Sequence, residues 1–257
     1  MEFNDRQHVI LAWVQEQDHV EVEAIARRFG VTTQTVRRDI NPLCELGLLR
    51  RRYGGVSWPE AKPKRPQTGE EQSTAGLLAA ARCLAADVPE GATISLGSGE
   101  AAERVAMALA NHRSLRILTN NFKVAAAVSG NADIEVIVSG GQYRHQHHDV
   151  VGPEVTGFFS SFTTDIGAVG SYSLDVGQGL MEQDIRDAEV SRAIITNTRQ
   201  RWLIAQSNSW ETPAVCKVAS FRYVDRFYTD RLAKTVRDEM PPHVDIIETG
   251  LPGASVA

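Results

Sequence analysis

The sequence predicts an α/β protein with two domains, an N-terminal winged helix-turn-helix and a C-terminal, mainly parallel α/β domain. Three observations support this prediction. Helical patterns, a glycine and a basic hairpin follow one another within residues 1–58. A stretch with three prolines then occupies residues 59–73, which we interpret as a linker. In residues 74–257, short apolar runs alternate with helical segments.

The composition excludes several classes of protein. The chain has 257 residues, 42% of them hydrophobic and 23% charged, which is typical of globular domains with a buried core. No apolar run approaches the ~18 residues that indicate a spanning helix, and the N-terminus lacks a secretory signal, so we expect no membrane partner. The three cysteines, Cys44, Cys83 and Cys216, form no CxxC motif and give no support for disulfides or structural zinc. A reduced, cytoplasmic compartment fits best.

The net charge of −5 hides a local basic block. Residues 27–65 hold ten basic and three acidic residues. Residues 1–26 hold one basic and six acidic residues, and residues 66–257 hold 16 basic and 23 acidic residues. A basic block on an acidic protein indicates one anionic partner, because Arg and Lys neutralise phosphates. A solvated charged face would produce the same block, so the charge alone leaves both alternatives open.

The first two predicted helices carry apolar residues at helical spacing. These are Ile10, Leu11 and Val14 in the first, and Val22, Ile25, Ala26 and Phe29 in the second. Gly30 follows immediately, as expected where a helix ends in a left-handed residue.

A third helix is predicted after Thr32, which is a plausible N-cap. Val36, Ile40 and Leu43 form its buried stripe. The face near the helix start carries Thr33, Gln34, Thr35, Arg37 and Arg38. In helix-turn-helix proteins the start of the second motif helix enters the DNA major groove, so Thr32 and these residues are predicted DNA contacts. Pro42 conflicts with a continuous helix, so the helix either kinks near Asn41 or ends earlier.

A short hairpin, or wing, is predicted around the Gly54-Gly55 turn. Its residues Arg50, Arg51, Arg52 and Tyr53 are predicted to contact DNA phosphates. The alternative is a three-helix interaction module with a charged exterior.

The C-terminal domain is predicted to hold a mainly parallel sheet covered by helices. The predicted strands are residues 92–96, 115–118, 134–138, 165–170, 202–205 and 244–248. The predicted helices are residues 74–87, 99–110, 121–129, 153–160, 187–198 and 231–239.

Ligands of such sheets lie beyond the carboxyl ends of the strands, so the loops that follow strands are the candidate effector site. The candidate residues are Gly97, Ser98, Gly99, Glu100, Thr119, Asn120, Gly140, Gly141, Arg144, His147, Gly170, Glu182 and Asp184. Backbone amides at a glycine-rich helix start can hold an anion, but a lone Gly-Ser-Gly is weak evidence.

Three clustered histidines, His145, His147 and His148, raise the question of a metal site. Only Asp149 is near as an acidic partner, so a solvated loop or a polar lid over a ligand is the preferred interpretation. No metal and no cofactor are predicted.

Several motifs resemble DeoR-type bacterial transcriptional regulators. They are the T-x-R-R-D core at Thr35–Asp39, Tyr-Gly-Gly at residues 53–55, and the segments at 118–121, 138–144, 150–155, 165–184, 189–200 and 224–230. The resemblance implies a homodimeric or homotetrameric repressor that is not an enzyme. It implies double-stranded operator DNA as partner, and a C-terminal domain similar in fold to sugar-phosphate isomerases. It also implies release by a sugar or polyol effector, phosphorylated in the usual case.

Three positions depart from the family pattern at places that favour phosphate. Gly97-Ser98-Gly99-Glu100 replaces the usual threonine-containing loop, and Ser191 and Ser209 stand where lysines are usual. A carboxylate at Glu100 lies in a first helical turn and would repel a phosphate. We therefore hypothesise a changed or absent effector.

Two other functions are kept as alternatives. One is an isomerase-like enzyme with Glu182, Asp184 or Glu189 as base. The other is a DNA-binding protein whose C-terminal domain is silent.

Overall fold

The computed structural model describes residues 4–17, 19–45, 48–52, 54–57 and 70–250. The chain divides into two compact units, residues 1–67 (unit 1) and 68–257 (unit 2). Most of the predicted linker lies outside the described residues. Its last part, residues 70–73, forms the first turn of a helix in unit 2.

Unit 1 contains three helices and three short strands. In chain order they are α1 (Asp5–Gln17), β1 (His19–Glu21), α2 (Val22–Phe29), α3 (Thr33–Glu45), β2 (Arg50–Arg52) and β3 (Gly55–Ser57). The strands form an antiparallel sheet in the order β1-β3-β2. The predicted apolar stripes meet in one core, where Ile10, Ile25, Val36 and Leu43 are completely buried. Burial of these side chains is the main stabilising contribution in so small a unit.

In unit 1, one glycine ends helix α2 and another forms the turn between strands β2 and β3. Gly30 follows α2 with a φ of 63°, and Gly54 lies between β2 and β3 with a φ of 78°. Both are in the left-handed region that glycine adopts without a Cβ penalty. The helix stop and the wing turn predicted from the sequence are therefore confirmed.

Two details of unit 1 differ from the sequence prediction. α3 continues through Pro42 to Glu45, so of the two expected alternatives, a kink near Asn41 or an earlier end, the earlier end is wrong. Packing of Ile40 and Leu43 on both sides of the proline holds the helix together despite the lost hydrogen bond. Strand β1 was not predicted, because three residues with one buried side chain give no measurable alternation.

Unit 2 is an α/β domain. Its elements run α4 (Glu70–Asp87), β4 (Thr93–Leu96), α5 (Glu100–Leu109), β5 (Leu115–Thr119), α6 (Phe122–Val128), β6 (Ile134–Val138), β7 (Gln142–Arg144), β8 (Asp149–Val151), α7 (Pro153–Ser160) and β9 (Thr164–Gly170). There follow β10 (Ser173–Asp175), β11 (Gly179–Glu182), α8 (Ile185–Thr196), β12 (Thr198–Ile204), β13 (Cys216–Ala219), β14 (Arg226–Thr229), α9 (Lys234–Glu239) and β15 (Asp245–Glu248).

Seven parallel strands form the main sheet, in the order β15-β14-β12-β9-β4-β5-β6. The chain runs outward from β4 through β5 to β6, and then outward the other way from β9 through β12 and β14 to β15. The direction reverses between β4 and β9. Such a switch point opens a crevice at the carboxyl edge of the sheet, where ligands bind in this class of fold.

Two hydrophobic cores cover the two faces of the sheet. α4, α5 and α6 contribute residues to one, and α7, α8 and α9 to the other. Neighbouring residues in β5 show the alternation, since Ile117 belongs to the first core and Leu118 to the second, and both are completely buried. This three-layer arrangement leaves the strand ends and their loops to form a site.

Each of the six predicted strands is present in the main sheet, with ends that differ by a few residues. β14 was missed, although Phe227 and Tyr228 are completely buried in it. Two smaller sheets were also missed, a β7–β8 hairpin and an antiparallel sheet in the order β10-β11-β13. All of these strands have three or four residues.

Candidate DNA-binding and effector sites

The start of α3 presents polar and basic side chains outward. Thr33, Gln34, Arg37 and Arg38 are exposed, and Thr35 is half-buried. The opposite face of the helix is buried in the core of unit 1. The predicted recognition residues therefore share one accessible face, as major-groove reading requires.

Thr32 caps this helix as predicted. Its Oγ1 accepts a hydrogen bond from the backbone N–H of Thr35 at 3.2 Å and lies 3.0 Å from the Thr35 hydroxyl. The cap satisfies one of the amides that a helix start leaves unpaired. It also places the Thr32 and Thr35 hydroxyls side by side on the exposed helix start.

Asp39 joins α3 to α1 rather than facing outward. Its Oδ2 accepts from Nε of Arg6 at 2.7 Å, and its carbonyl accepts from Nε2 of Gln7 at 3.1 Å. Asp39 is buried, with 7% of the residue exposed. The motif that contains Asp39 was recognised in the sequence, but this structural role has no sequence signal.

On the wing, the side chain of Arg51 is bonded to α3. Its Nη2 donates to Oδ1 of Asn41 at 2.6 Å, which joins β2 to α3. Arg50 and Arg52 belong to the same strand, but their side chains are not among the described ones, and Tyr53 lies outside the described residues. The contacts predicted for these three residues remain predictions.

In unit 2, the loops after β4 and β5 meet at the carboxyl edge. Nδ2 of Asn120, which follows β5, donates to Oγ of Ser98 after β4 at 2.8 Å and to the carbonyl of Val150 at 2.7 Å. Asn120 is completely buried. Two predicted site residues, Ser98 and Asn120, are thus brought together by a direct hydrogen bond.

The next residues of the same loop are also buried. Thr119 accepts from the backbone N–H of Asn121 at 3.0 Å, and Oδ1 of Asn121 accepts from the N–H of Lys123 at 2.8 Å, capping α6. Ser139, after β6, donates its backbone N–H to the carbonyl of Thr119 at 2.9 Å. Asn121 and Ser139 therefore belong to the edge beside the predicted residues.

The glycines at this edge have different roles. Gly99 precedes α5 with a φ of 92°, and Gly141 has a φ of 148° with the Val151 carbonyl 2.9 Å from where a Cβ would lie. Gly97 approaches Ile194, and Gly170 approaches Ala101, at 3.0 Å from an added Cβ in each case. Gly140 has open space around it.

Glu100 lies in the first turn of α5 and is exposed. Its Oε1 accepts from Nη2 of Arg104, one turn later, at 3.1 Å. The pair is local and screened by solvent, so it leaves a carboxylate at the helix start, where an anionic ligand would otherwise be favoured.

Arg144 is buried among carboxylates. It makes two hydrogen bonds to Asp149, at 2.9 and 2.6 Å, and one to Asp187 at 2.5 Å, and it lies 3.6 Å from Asp184. Burial disfavours the charged guanidinium, but these hydrogen bonds more than compensate, so the pKa of Arg144 lies above its ordinary value. Its charge is thereby neutralised within the protein.

Two of the remaining predicted residues, Glu182 and Asp184, lie just before α8. Asp184 caps this helix by accepting from the N–H of Arg186 at 2.9 Å, and the Arg186 side chain also binds it. This side-chain hydrogen bond lowers the pKa of Asp184. Glu182 accepts from the N–H of Tyr172 at 3.3 Å and is half-buried, as is His147.

The two serines that stand where lysines are usual are both at least half-buried. Ser191 is half-buried, and Ser209 is buried and donates to the carbonyl of Ser171 at 3.4 Å.

Among the described residues, no group of three His, Cys, Asp or Glu side chains is placed to hold a metal ion. His145 packs edge-on against Tyr143, and His148 lies 3.2 Å from the hydroxyl of the same tyrosine. Two open surface clefts of about 520 and 540 Å³ lie at the amino ends of β5 and β6, on the edge opposite the site. We favour the carboxyl edge because the switch point and the buried polar groups are there.

Comparison with known families identifies both units. The DeoR-like helix-turn-helix domain matches residues 6–62, and the DeoR C terminal sensor domain matches residues 77–231. The chain belongs to the DeoR family. The expected fold, a winged helix-turn-helix followed by a parallel α/β sensor domain, is confirmed.

Two DeoR-family relatives from Escherichia coli cover nearly the whole chain. The glycerol-3-phosphate regulon repressor is 32% identical over 96% of this chain and 95% of its own length. The HTH-type transcriptional repressor CsqR is 31% identical over 89% of this chain and 88% of its own length. Ribose 5-phosphate isomerase A from Methanocaldococcus jannaschii is similar over 52% of this chain and 53% of its own, at 13% identity and a TM-score of 0.39.

No helix in the described parts of the chain combines the length and the apolar character needed to cross a bilayer.

Proposed function

We propose that this chain is a repressor that binds double-stranded operator DNA through the start of α3 and the wing, and leaves it when a small metabolite binds unit 2. The observation that carries the proposal is the exposed face of α3, where Arg37 and Arg38 stand beside Thr33 and Gln34. Family membership supports the same function, since the relatives named above are repressors.

The proposed DNA contacts divide by chemistry. Gln34 and the arginines can bond base edges in the major groove, and Thr32 and Thr35 can bond phosphates. Arg51 lies on the wing with its side chain bonded to Asn41, and we propose that it binds backbone phosphates. The phosphate contacts supply affinity that falls with salt, and the base contacts supply specificity.

The proposed effector site is the carboxyl edge of the main sheet, around the switch point between β4 and β9. The effector is a sugar or polyol, and it favours one arrangement of a homo-oligomer while the operator favours another. Repression of a carbohydrate or polyol operon, and action in the bacterial cytoplasm at the nucleoid, belong to the same proposal.

An isomerase-like activity is the second function to test. Of the three candidate bases, Asp184 is engaged with Arg186 and Glu182 accepts from the backbone N–H of Tyr172, which weakens both as bases. Glu189 is exposed on α8. Turnover of pentose or hexose phosphates by the purified protein would establish the enzyme; we expect none.

The proposal is tested with the full-length protein and labelled promoter fragments of the genes that neighbour its own. We expect binding at low ionic strength, and release on adding small-molecule extract of cells grown on the right carbon source. Binding that no extract or metabolite changes would support the silent-domain alternative. The function would be contradicted if the protein bound none of these fragments and also enriched no sequence from a pool of genomic DNA fragments.

A further inference from the structure

Asn41 lies on the same face of α3 as the proposed DNA contacts. It follows Gln34, Arg37 and Arg38 at intervals of seven, four and three residues, and residues at these intervals are neighbours on one side of a helix. The apolar stripe of α3 occupies the opposite side and packs in the core of unit 1. The exposed row, which we call the recognition face, therefore comprises Gln34, Arg37, Arg38 and Asn41.

The strand register places Arg51 on the side of the wing that faces the core. Arg51 lies opposite Val56 in the β2–β3 pair, and Val56 lies opposite Val20 in the β1–β3 pair. Side chains directly opposite one another in antiparallel strands lie on the same face of a sheet. Val20 and Val56 are buried in the core of unit 1, to which α3 also contributes its apolar stripe. The side chain of Arg51 therefore lies on the same side of the sheet as α3.

The bond between Arg51 and Asn41 orients a guanidinium without neutralising it. Nη2 of Arg51 donates at 2.6 Å, and because a guanidinium can only donate, the atom of Asn41 that faces it is the carbonyl oxygen Oδ1. An amide carries no charge, whereas the carboxylate of Asp39 compensates the charge of Arg6 in the same unit. The bond uses one of the several N–H donors of the guanidinium, and Arg51 is exposed. This contact therefore leaves the positive charge of Arg51 available to an anion.

We propose that Asn41 is a positioning residue for DNA binding: it holds the guanidinium of Arg51 beside the recognition face, where the guanidinium binds a backbone phosphate. The inference deepens the proposed function and rests on it. An arginine loses rotamer freedom when it binds a ligand, and a side chain that is already oriented loses less. Asn41 thus adds affinity through Arg51 and makes no base contact of its own.

The bond fixes a side chain on a backbone that is already held in place. β1 and β2 both pair with β3, and the carbonyl of Gly54 in the turn of the wing accepts from the N–H of Val22 at 3.0 Å. Loss of the Asn41 side chain should therefore leave the wing folded, and alanine is a better helix former than asparagine. We expect the Tm of Asn41→Ala to equal or exceed that of the wild type.

The test is a double-mutant cycle on DNA affinity, measured by fluorescence anisotropy with the full-length protein and the fragment found in the promoter assay. We expect Asn41→Ala to bind about threefold more weakly and Arg51→Ala about tenfold more weakly, since a phosphate contact is impaired in one and lost in the other. The double variant should bind no more weakly than Arg51→Ala, because Asn41 acts only through Arg51. Losses that add in the double variant would overturn the inference.

Salt dependence and base preference distinguish positioning from a merely structural role. In Arg51→Ala the slope of log affinity against log salt should become shallower by about 0.9, as expected for one lost phosphate contact, and in Asn41→Ala it should lie between that value and the wild-type slope. Both variants should lose affinity equally for fragments with single base changes, because phosphate contacts carry no sequence information. A changed base preference in Asn41→Ala would show that Asn41 reads a base, which would overturn the inference.

The matched control is Asn111→Ala, an exposed asparagine in unit 2, whose substitution should change neither affinity nor slope. The wild type separates this inference from the proposed function. If the wild type binds DNA and Asn41→Ala binds equally well, the inference is wrong and the function stands. If the wild type binds no DNA at low salt, the function is wrong, and the inference with it.

Discussion

Arg6 in α1 donates from Nε to Oδ2 of Asp39 in α3 at a distance of 2.7 Å. The bond connects the first helix of unit 1 to the helix that carries the proposed DNA contacts, and Asp39 follows Arg37 and Arg38 directly in the sequence. The hydrogen bond to Asp39 also raises the pKa of Arg6. The orientation of the side chains proposed to contact DNA therefore depends on Asp39, which is buried against α1.

Asp39→Ala should lower both the Tm of unit 1 and its affinity for DNA, because α3 loses its ion pair with Arg6 of α1. The affinity should fall for all sequences alike, since no base contact is removed. Thermal unfolding followed by circular dichroism and fluorescence anisotropy with labelled DNA would measure the two effects. An unchanged Tm together with altered base preference would instead indicate that Asp39 contacts DNA.

Thr32→Ala should destabilise unit 1 by about 1 kcal/mol, because the Thr35 N–H loses its side-chain acceptor. Thr32→Ser keeps the acceptor and should recover most of the stability. Urea denaturation of the three proteins gives the comparison. If serine were as damaging as alanine, the threonine methyl group, not the cap, would be the stabilising feature.

Arg144→Ala should destabilise unit 2 by about 3–5 kcal/mol, because it leaves the carboxylate of Asp149, which is 0% exposed, without its partner. Arg186→Ala is the matched control. That guanidinium is 43% exposed, so its loss should cost about 0–1 kcal/mol. Denaturant midpoints measure both. Similar values for the two variants would contradict the structural role of Arg144.

Acid should weaken unit 2 through Asp225. Burial raises the pKa of Asp225, but hydrogen bonds from Arg201 outweigh that effect and hold it below the ordinary value of 3.8. A lowered pKa contributes stability above the unfolded-state value, and this stability is lost as pH falls through the folded-state pKa. The free energy of unfolding should therefore drop below about pH 4, and less steeply in Asp225→Asn. Equal slopes in the two proteins would exclude this contribution.

The sequence was sufficient to predict an element where a long apolar pattern, or a glycine at a turn, determines the local structure. The stripe of Val36, Ile40 and Leu43 predicted α3. Gly30 predicted the end of α2, and the Gly54-Gly55 pair predicted the turn of the wing. Pro42 left two alternatives open, and the helix does not end there, because tertiary packing of the residues on both sides outweighs a local hydrogen-bond loss. Local rules cannot weigh contacts between distant segments.

The parts that could not be predicted depend on such contacts. β14 was missed because Phe227 and Tyr228 are flanked by charged residues, and only pairing with β12 and β15 makes a strand of them. The candidate effector residues were located by the rule for strand ends. That Arg144 is neutralised by Asp149 and Asp187, and that Asn120 bonds Ser98, could be seen only in the folded structure, because these contacts join different elements of the domain.

The central claim is that the start of α3 binds duplex DNA through its arginines. The most direct measurement is the affinity of wild-type, Arg37→Ala, Arg38→Ala and Arg231→Ala proteins for one operator fragment, between about 50 and about 200 mM salt. Arg231 is exposed in unit 2 and serves as the control. We predict steep salt dependence, a loss of about 1–3 kcal/mol for each α3 variant, and none for the control. Equal losses in all three variants, or no binding by the wild type at low salt, would contradict the account.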